Sequence, residues 1–275
     1  MVSIITVCYN AEHEIERTIR SVLMQTSRNY EYIFIDGAST DRTLDIIEQY
    51  IPKFKEKDIC VSIVSEKDDG IYDAMNKGIK LAKGEWINLM NAGDCYHDAK
   101  VLNQIEQYCT RQVDIVVGEI VYVEGYLGKR YYHSNIENLK DDMVFCHQAV
   151  FASRKLFDEK KFDITYRYSA DYDWLLYMYL KGYQYQCVDV LVVDYDSQGV
   201  SNQNRERTIE EAEKIRLKNG IIRNNPIIDS KEKINWKYKI YKIISQNKCL
   251  AKIYYNACGK NRDDTYWMGR RKNDG

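Results

Sequence analysis

Hydrophobic positions in the first hundred residues switch between two spacings. Ser3 to Tyr9 is a short β-branched run that reads as a buried strand, and Glu12 to Gln25 then sets Ile15, Ile19, Val22 and Leu23 at helical spacing. The switch repeats. Tyr30 to Ile35 is an apolar strand closed by Asp36-Gly37, followed by a helix that Ser39 or Thr40 caps and that carries Leu44, Ile47 and Ile51 on one face. Cys60 to Val64 gives a third strand, Ile71 to Ala82 a third helix with Met75 and Ile79 inward, and Glu85 to Met90 a fourth strand. Strand-helix-strand units of this length predict an α/β fold whose parallel sheet is covered on both faces, with ligands bound where the strands end.

Beyond residue 100 the pattern loosens. Leu102 to Cys109 reads as helix, Asp114 to Val123 and Tyr126 to His133 as strands, and Ala170 to Leu180 as an aromatic-rich helix. Val188 to Tyr195 is again a strand and Glu206 to Asn219 a charged helix, with no internal repeat and no linker.

Composition narrows the function classes. With 45% hydrophobic and 29% charged residues among 275, the chain can bury a large core and is not a disordered sequence. The net charge of -1 argues against a nucleic-acid-coating protein, but it is a sum of opposites. Residues 231 to 275 hold twelve Lys or Arg against four Asp or Glu, so the preceding part is acidic. Eight scattered cysteines without a Cys-x-x-Cys pair predict free buried thiols in a reducing compartment. The first residues lack the pattern of a signal peptide and no run approaches the ~20 apolar residues of a membrane span, so a cytoplasmic location is expected.

Candidate chemistry gathers at the strand ends. The first strand-helix turn, Cys8 to Glu12, has no glycine, which disfavours NAD and FAD binding, and no P-loop occurs. Asp36 closes a strand, where a carboxylate can accept from a base or ribose or simply cap a turn; for Ser39 and Asp41 the turn is favoured. Asn91-Ala92-Gly93-Asp94 follows the fourth strand. A carboxylate there, beside a glycine that lets backbone come close, suits a divalent cation on diphosphate oxygens, as well as an ordinary polar turn. Asp171 and Asp173 open a helix ahead of Trp174, so one is a candidate general base and both are candidate helix-dipole partners. His147 and Gln148 precede an apolar run and can donate to a phosphate or serve as satisfied polar groups. His13, His97 and His133 show no metal-ligand pairing.

The series Ser-Ile-Ile-Thr-Val-Cys-Tyr-Asn (3 to 10), Phe-Ile-Asp-Gly-Ala-Ser-Thr-Asp (34 to 41), Ser-Glu-Lys-Asp-Asp-Gly-Ile-Tyr-Asp-Ala-Met-Asn-Lys-Gly-Ile (65 to 79) and Asn-Ala-Gly-Asp (91 to 94) resembles the inverting GT-A glycosyltransferases of family 2. It is similar in particular to the bacterial members that build O-antigen and capsular polysaccharide. The likeness continues through His147 to Phe151, Ser169 to Trp174 and Gln198-Gly-Val-Ser201; the last seventy residues carry no such motif.

The resemblance implies a Rossmann-like, mostly parallel sheet with a C-terminal helical extension. It divides the chain into a donor-binding half (1–100), an acceptor-binding half (101–225) and a basic tail (226–275). Thr6, Tyr9, Asp36, Asp68 and Asn76 would line the nucleoside pocket, with Asn91, Ala92 and Gly93 at the donor. Asp94 would hold Mn²⁺ or Mg²⁺ against the diphosphate. Asp171 would be the catalytic base, with Asp173, Trp174, His147 and Gln148 near acceptor or diphosphate. Two departures stand out: the acidic turn keeps only its last acid, and the strand-end Asp-Asp of the family is here Asp36-Gly37.

The implied activity is sugar transfer from a nucleotide sugar, expected to be a UDP-sugar, onto a saccharide acceptor linked to a polyprenyl diphosphate. A sugar nucleotidyltransferase and a non-catalytic scaffold of a polysaccharide assembly complex are the competing readings. The first would normally carry a Gly-rich basic first loop. The tail interleaves Trp236, Tyr238, Tyr241 and Tyr254 with Lys237, Lys239, Lys242 and Lys252, which suits either an interfacial helix on an anionic bilayer or a helix packed on the catalytic domain.

Overall fold

The computed structural model describes residues 1–123, 129–132, 134–141, 143–196 and 204–222, with 243–244, 247, 249–250, 252–253 and 266–268 beyond them. Its first half is the predicted alternation. β1 (Val2–Cys8), α1 (Ile15–Leu23), β2 (Tyr30–Asp36), α2 (Thr43–Lys55), β3 (Val61–Ser65), α3 (Ile71–Leu81) and β4 (Trp86–Leu89) follow one another, and the strands pair in parallel in the order β3-β2-β1-β4. Both faces are covered because alternate residues turn to opposite sides. Tyr30, Tyr32 and Phe34 of β2 join Ile15, Ile19 and Val22 of α1 in one apolar cluster, while Ile33 and Ile35 join Met75 and Ile79 of α3 in the other.

The second half makes the sheet mixed, adding antiparallel pairs to the parallel order that the strand-helix repeats predict. β5 (Cys95–Tyr96) and α4 (Val101–Glu106) lead to β6 (Ile115–Val123) and β7 (Lys129–Tyr132), then β8 (Val150–Ser153), α5 (Lys155–Glu159), α6 (Ala170–Leu180), β9 (Tyr185–Asp196) and α7 (Arg205–Lys218). A last short strand, β10 (Tyr266–Met268), pairs with β7. β8 inserts antiparallel between β4 and β6, and β9 runs parallel to β6 with a bulge around Glu119. The short strands β5 and β8 were not predicted as elements. Each is too brief for a periodicity to show.

Three local expectations change. Neither Ser39 nor Thr40 caps α2, which starts at Thr43; Ser39 is spent instead on the preceding turn. Of the strand expected over 126–133, residues 129–132 form it and 124–128 and 133 lie outside the described residues, as do Gln198 to Ser201 and most of the tail. The described cysteines are free, but Cys60, Cys187 and Cys249 are exposed, not buried.

Helix α3 lies so close to the sheet that Gly78 has no room for a side chain. A Cβ there would collide with Ile5 Cγ2 and stand 3.2 Å from Ile35 Cγ1. Gly78→Val is therefore expected to destabilise the chain by about 1–3 kcal/mol through overpacking, read as a lowered urea midpoint at constant slope.

Candidate active site

Parallel pairing brings the ends of β1, β2 and β4 to one edge of the sheet, and the antiparallel β8 delivers the residues before it to the same edge. Asn88 of β4 stands opposite Phe151 of β8. Its buried amide donates to the carbonyls of Gln148 and Val150, both at 2.9 Å, and accepts from Tyr96 at 2.7 Å. His147 and Gln148, held in a single 3₁₀ turn (His147–Ala149), thereby face the turn at 91–94.

Where the resemblance implies a nucleoside pocket, the expected residues separate into surface and supporting groups. Tyr9 is 64% exposed beside Gly37, and the Asp68 carboxylate closes in on the same glycine: a Cβ at 37 would stand 2.7 Å from Asp68 Oδ2 and 3.4 Å from the Tyr9 ring. These three form a small open corner with one carboxylate. Asp36 is fully buried behind it and accepts from the Ser39 amide (3.0 Å), the Ser39 hydroxyl and the Ser65 hydroxyl (2.6 Å), so its oxygens hold the turn. Thr6 is also fully buried, 3.0 Å from the Tyr32 hydroxyl, and has no surface to offer a ligand. Asn76 grips the backbone of Phe162 from both sides, donating to its carbonyl at 2.9 Å and accepting from its amide at 3.1 Å. Thr6 and Asn76 thus support the pocket instead of lining it. The reason is local: Thr6 sits mid-strand on a covered face, and Asn76 on the side of α3 that meets the 160–165 loop.

The turn Asn91-Ala92-Gly93-Asp94 is clamped by α1. Thr18 accepts from the Gly93 amide (2.9 Å) and donates to the Asp94 carbonyl (2.8 Å), and Arg17 donates to the Gly93 carbonyl. Gly93 takes φ +101, a conformation that side chains rarely tolerate. The Asp94 carboxylate is 7% exposed and accepts from Gln148 Nε2 at 2.6 Å, while Cys146 bonds the other end of that amide. Among the described residues no three acidic, His or Cys side chains converge as a metal cage. One carboxylate on a turn at the strand ends is chemically compatible with a hard cation that takes its other ligands from a bound anion and water.

Asp171, in the first turn of α6, is 2.8 Å from His147 Nδ1 through Oδ2. Its Oδ1 accepts from Tyr72 and from the Tyr172 amide, each at 2.9 Å. The His147 ring continues to Asn91, whose Nδ2 lies 3.0 Å from Nε2. Burial alone would raise the Asp171 pKa, but the hydrogen bonds from His147 and Tyr72 outweigh it and hold the carboxyl below its ordinary range. Tyr72 moves the other way: burial first, then the Asp171 charge, pushes its phenol well above the usual value, so it stays a donor. The side chain of Asp171 keeps 14% of its surface open, above a small, mainly apolar cavity of about 20 Å³ lined by Leu89, Val150, Phe157 and Trp174.

Asp173 points away from this group, and Trp174 forms part of the cavity wall beneath it. Asp173 is buried against Lys160 Nζ at 2.6 Å, with Lys218 at 3.8 Å. Trp174 stacks on Phe157 at 4.4 Å and donates to the Lys160 carbonyl at 2.6 Å. Both were expected near acceptor or diphosphate; Asp173, two residues beyond Asp171, falls on another side of α6 and is held by Lys160, whereas Trp174, three beyond, shares the side of Asp171. The structure adds Tyr72, Thr18 and Arg17, which sequence reasoning did not single out. Tyr72 stands inside the quoted 65–79 series, whereas Thr18 and Arg17 carry no signal beyond their place on α1. Of the other histidines, His97 pairs with Asp194 at 2.6 Å, His13 is an exposed side chain, and His133 is outside the described residues.

A half-parallel sheet without a glycine-rich phosphate loop, carrying carboxylates at its strand ends and an acid at the start of α6, is the frame of a GT-A glycosyltransferase. Residues 3–172 match the family model described as Glycosyl transferase family 2, and the chain belongs to that family. It is 31% identical over 179 residues to a PGL/p-HBAD biosynthesis glycosyltransferase of Mycobacterium tuberculosis, covering 63% of this chain and 68% of the relative. It is 37% identical over 113 residues to the UDP-Glc:alpha-D-GlcNAc-diphosphoundecaprenol beta-1,3-glucosyltransferase WfaP of Escherichia coli, covering 41% and 43%. Among solved structures it is similar in fold to S. aureus TarS 1-349 in complex with UDP (TM-score 0.58, 18% identity, 78% of this chain and 64% of that one). It is likewise similar to the mannosyltransferase PcManGT from Pyrobaculum calidifontis in complex with GDP-Man and Mn²⁺ (TM-score 0.62, 14% identity, 94% and 74%).

The assignment of Asn76 as a support has a direct check. Asn76→Ala strands a buried carbonyl and amide of Phe162, so it is expected to lower unfolding free energy by about 1–3 kcal/mol while leaving UDP affinity, measured by calorimetry, unchanged.

Proposed function

We propose that this protein transfers a sugar from a UDP-sugar to a saccharide acceptor carried on a polyprenyl diphosphate, with inversion at the anomeric carbon, in the assembly of a bacterial surface polysaccharide. The observation that carries the reading is the Asp171 carboxylate, ionised, partly open and held by His147 and Tyr72 at the sheet edge that also bears Asp94. The names of WfaP and of the UDP complex of TarS support the donor and acceptor classes.

In this reading Tyr9, Gly37 and Asp68 receive the nucleoside, with Asp36 fixing the turn that presents Gly37. Asp94, oriented by Gln148, is the protein's ligand for a divalent cation. Such a cation, Mg²⁺ or Mn²⁺, supplies positive charge against the diphosphate as it departs. Asp171 accepts the proton of the acceptor hydroxyl as that oxygen bonds to the anomeric carbon. The bond from that carbon to the diphosphate oxygen breaks, and UDP leaves with its electron pair. A single displacement of this kind inverts the centre. Residues 1–100 then serve the donor and 101–225 the acceptor, and the cytoplasmic side of the membrane is where such a donor is supplied. No helix among the described residues is long and apolar enough to cross a membrane. The basic, aromatic composition of residues 231–275 suits contact with an anionic lipid surface.

A scaffold that only binds nucleotide sugar would not need an ionised, oriented acid beside the donor turn, and a nucleotidyltransferase would need a basic first loop that Cys8 to Glu12 does not provide. Asp171→Asn is expected to reduce transfer about 10²–10⁴-fold while donor affinity stays within error; wild-type turnover by the variant overturns the base assignment. Asp94→Ala is expected to bind a UDP-sugar equally with Mn²⁺ and with EDTA, whereas the wild type binds more tightly with Mn²⁺. Calorimetric titration reads the difference, and a wild type indifferent to EDTA removes the cation from the proposal.

A further inference from the structure

The chain of contacts from Asn91 through His147 to Asp171 joins the donor turn to the proposed base, and its proton pattern is determined by what each atom can do. Asp171 is anionic and can only accept, so the proton between it and His147 rides on Nδ1. The atom that faces Nε2 is the Asn91 amide nitrogen at 3.0 Å, which can only donate, so Nε2 meets it with its lone pair. The arrangement leaves a mark: Asn91 Oδ1 is buried and accepts no hydrogen bond from the described residues. Turning the amide over would set that oxygen against the Nε2 lone pair, a repulsive contact unless the ring gains a second proton. An unpartnered buried oxygen is tolerated because the amide nitrogen is needed where it is.

We infer that His147 is a positioning residue: with Asn91 fixing its tautomer, it holds the Asp171 carboxylate in the orientation that receives the acceptor proton, and so ties the base to the turn that meets the donor. The inference rests on Asp171 being the base but assigns His147 a role that does not require it to touch diphosphate or acceptor. The groups facing Asp171 are few: His147 ahead of β8, Tyr72 from α3, the Tyr172 amide on its own helix, and the buried Cys146 thiol, which burial above all keeps protonated. His147 is the one among them able to carry a positive charge, and its removal leaves Tyr72 and Tyr172 in place.

Two substitutions of similar size separate the ring's two nitrogens. The amide of Asn can reproduce the Nδ1 donor, and the longer Gln reproduces the Nε2 position while losing the donor. A carbon-13 titration of the Asp171 carboxyl in the full donor-free chain is expected to move to higher pH in His147→Gln and to return toward the wild-type midpoint in His147→Asn. Nitrogen-15 spectra of the ring are expected to show the proton on Nδ1 in the wild type and a mixture of tautomers in Asn91→Leu. With UDP-glucose, or another UDP-sugar found to turn over, His147→Gln should lower kcat roughly ten- to hundred-fold with the donor KM unchanged, and shift the acid limb upward with the carboxyl. An unmoved carboxyl midpoint in His147→Gln, or an Nε2–H ring in the wild type, overturns the inference. Those outcomes are independent of Asp171→Asn, whose retained activity would overturn the base assignment instead.

Discussion

Everything at the site depends on the antiparallel pairing of β4 with β8. β4 reaches its end as one of four parallel strands, and its last residues would face open space on that side if the sheet stopped there. β8 enters from the opposite direction, so the residues before it, 147 and 148, land beside the residues after β4, 91 to 94, although more than fifty positions separate them. Asn88 secures the junction with both amide hydrogens and its carbonyl. A buried amide with all its capacity used is strongly directional, since slipping the strands by one residue would leave those groups unpaired in an apolar layer.

The same directional economy explains the tyrosines. Twenty-four is a large number for this length, and many of those described are core rings whose hydroxyl finds a partner. Tyr30 donates to the Val22 carbonyl, Tyr96 to Asn88, Tyr172 to the Leu139 carbonyl, Tyr185 to the Leu175 carbonyl and Tyr72 to Asp171. Each supplies aromatic burial and one oriented bond, whereas phenylalanine would supply only the first. Tyrosine therefore joins neighbouring elements at fixed angles, and at Tyr72 this structural habit reaches the site itself.

The elements before residue 90 were legible because the helices keep a helical spacing of apolar residues over nine to thirteen positions and the strands between them are apolar runs bounded by turn residues. The mixed half was not, since β5 and β8 span two and four residues and their places are fixed by pairing partners far away in sequence. Within the site, Asp171 and Asp94 could be picked out as acids at element ends. Their surroundings could not. That Asn76 would turn to Phe162, Thr6 to Tyr32 and Asp173 to Lys160 depends on which face of an element meets which loop, a property of the assembled fold.

Gly37 has a consequence for how this pocket can change. Its missing side chain is the space that the Asp68 carboxylate uses, so the acid at this corner comes from the loop before α3 and not from the end of β2. An aspartate at 37 would bring a second negative charge and a steric collision at once. Positions 37 and 68 are therefore coupled through one shared space: an acid placed at 37 would face the Asp68 carboxylate, and removal of Asp68 would leave that corner without an acid.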